Sequence, residues 1–170
     1  MSNRSRPLFV IFIVLVFLFV AVVPTSAQAT KTLFTATETF VADLSLGTET
    51  FPDGRYNLRD GISLFHFEAS DPRLDNAEDL ITINWDFKFM PEPVFVSGQM
   101  WGKFKITNEG GYWEGTWNGV REENGFSYFH YGGVGGGGYA GMKLKMWGER
   151  LDPDPTVPET WQGIIIEPGG

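Results

Sequence analysis

The chain has no cysteine, only two histidines, and fewer basic than acidic residues, 13 Lys+Arg against 21 Asp+Glu. Each shortage excludes something. Without cysteine there is no disulfide framework and no site for a lipid-modified cysteine anchor, so the fold must hold by core burial and sheet hydrogen bonds. With His66 and His130 alone and no thiolate, a transition-metal site would need an unusual share of carboxylates, and no metal is expected. The formal net charge of −8 argues against a nucleic-acid partner and against docking on anionic lipid. No stretch beyond residue 30 repeats apolar residues at i, i+3 and i+4 over the length of a sizeable helix. The glycine run 132–138 lacks the Lys and Ser/Thr of a phosphate loop and leads into a strand, so no nucleotide cofactor is expected.

What is present begins with an export signal. Arg4 and Arg6 precede an uninterrupted apolar run from Leu8 to Val23, Pro24 breaks it, and Ala27, Gln28 and Ala29 give the small-x-small pattern of a cleavage site. The run is short of the roughly 18 apolar residues of a spanning helix. Residues 1–29 therefore read as a signal peptide, forming an N-terminal signal helix, with an uncleaved anchor as the alternative and the only route to a membrane. Residues 30–170 read as one secreted or extracytoplasmic domain, acidic enough to stay soluble outside the cell.

That domain alternates with period two, strand after strand. Phe34, Ala36 and Phe40 oppose Thr35, Thr37 and Thr39; Ser63, Phe65 and Phe67 oppose Ile62, Leu64, His66 and Glu68; Ile81, Ile83, Trp85, Phe87 and Phe89 oppose Thr82, Asn84, Asp86 and Lys88, before Pro91 and Pro93. Two hairpins follow, 99–107 with 111–120 across Asn108 to Gly110, then 126–131 with 139–147 across the glycine run, and 161–167 closes the chain. The stretch from Gly98 to Gly148 pairs glycine with aromatics throughout, as a sheet does where it coils past bulky rings. About seven or eight strands without a covering helix point to an all-β fold, a single antiparallel β-barrel of lipocalin-like kind, with a two-sheet sandwich as the competitor.

Ser70 to Arg73, the run Gly110 to Gly119, Gly136 to Met142, and the terminal Trp161 with Gly163 to Pro168 resemble uncharacterised bacterial secreted proteins of the allene oxide cyclase barrel-like group, which includes the dirigent proteins. The resemblance covers about 100 residues. It implies an eight-stranded antiparallel barrel with an apolar lumen, a trimer in the plant members and hence a homo-oligomer here. It carries over no catalytic residue.

Trp85, Trp101, Trp113 and Trp117, with Tyr112, are the candidate lining for a small apolar or aromatic ligand held in the lumen. This non-catalytic binding role is the preferred reading. An isomerase or cyclase is the alternative, and His66, Glu68 and Glu114 are its candidate acids and bases: His66 and Glu68 share a face, while Glu114 shares a polar stripe with Tyr112, Thr116 and Asn118. A carbohydrate-binding surface module is a third reading, resting on Trp101 and Trp147. The acidic stretches 75–79 and Asp152 to Asp154 lack the glycine and spacing of a Ca²⁺ loop and read as solvated turns.

Overall fold

The computed structural model describes residues 28–89, 96–152, 154 and 157–169. The signal segment expected at residues 1–29 lies almost wholly outside them, as do Pro91 and Pro93. Nine strands follow one another: β1 (Thr30–Ser45), β2 (Thr48–Thr50), β3 (Arg55–Ala69), β4 (Ala77–Phe89), β5 (Val96–Asn108), β6 (Gly111–Arg121), β7 (Ser127–Gly137), β8 (Lys143–Arg150) and β9 (Glu159–Glu167). The only helical turn among the described residues is a 3₁₀ turn at Pro52–Gly54. All strands are antiparallel and lie in the order β1-β9-β8-β7-β6-β5-β4-β3-β2. Because β1 also pairs with β3, Ala36 opposite Ala69 and Phe40 opposite Phe65, eight long strands close into a ring and the short β2 continues the wall along β3. Closure leaves no long strand with an unpaired edge.

The alternation read from the sequence becomes inside and outside. Phe34, Phe65, Phe67, Ile81, Phe104, Trp113, Trp117, Tyr131, Met146 and Trp161 are buried within the ring, and the residues between them face water. Rings this large need gaps in the opposite wall. At β5 the gap is Gly102: the Trp117 indole reaches past it from β6 and donates its N–H to the Thr82 carbonyl of β4, 3.1 Å away. Two expectations are corrected here. The glycine run is no connection, since β7 continues to Gly137 and the chain turns only at 138–142. Tyr139 belongs to that turn, buried and stacked on Trp113 at 5.2 Å between ring centroids, and β8 begins four residues later.

The ends of the ring differ. At one, the segment from Ser70 to Asn76 folds across the opening and puts Leu74 into the core with no exposure. Polar contacts hold this plug: Trp113 Nε1 donates to the Arg73 carbonyl at 3.0 Å, Asn108 Nδ2 to the Pro72 carbonyl at 3.2 Å, and the Arg73 guanidinium pairs with Asp71 and Glu167. Deleting the buried Leu74 side chain leaves a cavity under the plug, so Leu74→Ala is expected to cost about 2–5 kcal/mol in urea unfolding. A cost within a few tenths of a kcal/mol would show that the plug is not part of the core. The other end is ringed by exposed apolar side chains, among them Phe40, Leu44, Phe51 and Phe89.

Candidate functional site

The inner wall is apolar except along one line and at Ser63, whose hydroxyl donates to Asp43. Register places Arg121 opposite Ser127, Ser127 opposite Arg150, and Glu159 opposite Glu38, and the Arg150 guanidinium pairs with the Glu159 carboxylate. Five adjacent strands, β6, β7, β8, β9 and β1, thus carry a continuous polar row on their inner face. Asp79 joins it from β4, fully buried. The expectation that residues 75–79 form one solvated turn is corrected: Ala77 to Asp79 open β4, because Ala77 and Asp79 point into the ring at the strand's own period of two.

Three carboxyls and one paired arginine in the core cannot all be ionised. Burial pushes the Glu38 carboxyl well above the ordinary carboxylate range, and the negative charges of Asp79 and Glu159 push it further. Burial likewise lifts Asp79 to about 7 and raises Glu159, with the Arg150 charge opposing the shift at Glu159. Glu38 Oε1 has no donor from another side chain or from the backbone, and Asp79 draws only on the Lys105 backbone N–H. A proton retained on the cluster supplies a further donor, linking Glu38 to Asp79 and Glu159. The Tyr131 hydroxyl, buried and facing the same charges, is also raised and stays protonated.

Glu159, Arg150, Arg121 and Ser127 form the polar floor of a cavity of about 510 Å³ towards the end of the ring opposite the plug. Its walls are Tyr56, Phe65, Ile83, Trp85, Met100 and Phe129, with Phe40 at the entrance. Trp85 and Phe87 stack at 5.1 Å, Tyr56 meets Trp85 edge-on at 5.3 Å, and Phe51 and Phe89 extend the cluster to the surface. Unpaired donors lie buried in the residues around this region: Trp85 Nε1, Arg121 Nε and Arg150 Nε have no acceptor among the described residues. Burial and the like charge of Arg150 both lower the Arg121 guanidinium, so an acceptor placed there would relieve it.

Of the residues singled out in the sequence, Trp85 and Trp117 line this cavity. Trp113 is fully buried at the plugged end. Trp101 lies on the outer face under the Arg59 guanidinium, 5.0 Å from its ring, and Tyr112 lies outside beneath Lys105. His66 and Glu68 also face outward, 3.8 Å apart, with side-chain exposures of 39% and 71%, and Glu114 is exposed on β6. The structure therefore brings none of these three to the cavity. The polar row was missed, although a signal for it existed: Glu38 has the parity of Phe34 and Ala36, Glu159 that of Trp161, Arg150 that of Met146, and Arg121 that of Trp117.

Compared with family models, with curated proteins and with solved structures, the chain matches none.

Proposed function

We propose that this protein is a small-ligand carrier that takes one apolar or aromatic molecule through the end of the ring opposite the plug and holds it in the cavity above Glu159, Arg150 and Arg121. The observation that carries the reading is the pairing of an aromatic-walled cavity of about 510 Å³ with buried donors around it that lack acceptors. Such a site gives affinity through its walls and orientation through a few polar groups. A plug at one end, with no described segment folded across the other, supports a vessel with a single entrance. Eight long strands closing on themselves support a β-barrel of the kind that the resemblance to allene oxide cyclase-like proteins implies. The basic start, apolar run and small-x-small motif of residues 1–29 support export of the domain.

A second reading, an isomerase or cyclase, draws on one observation: Glu159 touches both the cavity and the proton-holding carboxyls. In that reading the acid or base is Glu159, and the outward-facing His66, Glu68 and Glu114 take no part.

Titration with the neutral apolar dye Nile red tests the carrier. Saturable fluorescence at one dye per chain is expected, and Ile83→Trp, which fills the cavity, is expected to weaken binding at least tenfold. Dye binding that does not saturate, or that Ile83→Trp leaves unchanged, would sink the proposal.

A further inference from the structure

The outer face carries a second line of side chains that the cavity does not use. Register sets His130 of β7 opposite Trp147 of β8, Trp147 opposite Gln162 of β9, and Gln162 opposite Thr35 of β1. One step along each strand, Tyr128, Glu149, Thr160 and Thr37 form a parallel line. Between them runs a groove of about 880 Å³ that reaches Glu68 and Asp75 beyond β1. At about 4.8 Å per strand, the groove spans about 19 Å from β7 to β3. The row also continues the other way: His130 faces Asn118 of β6, and Asn118 faces Trp101 of β5.

Three properties of this groove single out one ligand chemistry. Trp147 is 39% exposed, and no aromatic or cationic side chain covers its ring among the described residues. An indole face left bare in the middle of a groove is a platform for a flat apolar surface. Around it, Tyr128, His130, Glu149, Thr160 and Gln162 make no side-chain hydrogen bond with any described residue, so hydroxyl, imidazole, carboxylate and amide groups are all free to bond a ligand. The lining includes Glu68, Asp75 and Glu149 but no Lys or Arg, which disfavours phosphates, nucleic acid and other anions. A ligand with an apolar face, many hydroxyls and no negative charge satisfies all three.

We infer that the groove centred on Trp147 binds a neutral oligosaccharide or polysaccharide chain, with a sugar ring stacked on the indole and its hydroxyls bonded to Gln162, His130 and Glu149. Carboxylate and amide oxygens accept sugar O–H groups, and the carboxylate bonds are the stronger. The length of the groove suits several sugar units in line. This site lies on the opposite side of the β7–β8–β9 wall from the cavity and does not depend on the cavity being filled.

Affinity electrophoresis of the residue 30–170 domain tests it, in native gels containing xylan, a soluble β-glucan, galactomannan or dextran. At least one polysaccharide is expected to retard the wild type, Trp147→Ala to weaken that binding tenfold or more, and Gln162→Ala to weaken it severalfold. Both positions are exposed, so their thermal melts and Nile red binding are expected to match the wild type, and Ile83→Trp is expected to bind polysaccharide normally. No retardation by any of the four, or retardation that Trp147→Ala leaves intact, overturns the inference. Retardation only in gels containing polylysine would assign the groove to a cationic peptide and overturn it equally. Loss of dye binding with retention of polysaccharide binding would count against the carrier and not against this site.

Discussion

Gly102→Ala is expected to destabilise the protein by about 3 kcal/mol or more, while Gly132→Ala, in the same glycine-rich half of the chain, is expected to be neutral or slightly stabilising. A Cβ on Gly102 would overlap the Thr82 carbonyl oxygen and lie 2.7 Å from Trp117 Nε1. Neither neighbour can yield: the carbonyl belongs to the paired strand β4, and the indole is packed within the core. Relief would break the Trp117 bond to Thr82 and leave a buried N–H unpaired, which itself costs about 1–3 kcal/mol. A Cβ on Gly132 meets nothing within 4 Å, and alanine there restricts only the unfolded chain. Urea denaturation of the two variants checks the contrast. Equal stabilities would mean that the Trp117 indole does not pass beneath β5.

The protein is also expected to be more heat-stable at pH 5 than at pH 8, opposite to the usual acid sensitivity of folded proteins. In the unfolded chain Glu38, Asp79 and Glu159 ionise near pH 4. Burial raises all three in the folded chain, Asp79 to about 7. Between those limits the folded state binds more protons than the unfolded state, so stability falls as pH rises. One retained proton is worth at most about 1.4 kcal/mol per pH unit, and a loss on the order of 2–4 kcal/mol is expected across the window. Asp71 works in the opposite sense, because its hydrogen bonds to Arg73 hold it below the ordinary range. Its contribution is lost only as pH falls below about 4, outside the window tested. Glu38→Gln keeps the shape, supplies an N–H donor and removes one proton-binding carboxyl. It is expected to flatten the dependence and raise Tm at pH 8 by about 5 °C or more. Circular-dichroism melts from pH 5 to pH 8 decide this, and a wild-type Tm that climbs with pH would refute it.

The walls of the ring were legible because Ile81 to Lys88 of β4 and Trp113 to Asn118 of β6 alternate without a break, and period two admits only a strand with one wet face. What escaped was the height of those walls. Strands were expected to stop at Val120 and Trp147 and to resume at Trp161, where polarity rises; in the structure they run on to Arg121 and Arg150 and begin at Glu159. The missing residues are the polar floor of the cavity. A boundary placed where the chain turns hydrophilic fails when the hydrophilic residues themselves point inward. Asp79 was hidden in the same way, by the acidic residues just before it. The glycine run misled for another reason: glycine in a strand resembles glycine in a turn until the neighbouring wall is known. Gly133 lies against the Phe104 ring of β5, a partner no local pattern supplies.

The seam where β1 lies between β9 and β3 has a consequence in time. Each long strand can pair with one near in sequence, β1 with β3 included, but the β1–β9 contact that closes the ring, Thr30 with Glu167 and Ala36 with Trp161, forms only after nearly the whole domain has been made. Until then both strands present bare edges, and the core is open along one side. Folding that depends on so distant a contact is slow, in the millisecond-to-second range of sheet proteins dominated by non-local pairings. That delay makes the half-built sheet the state in which the protein is most exposed to aggregation and proteolysis.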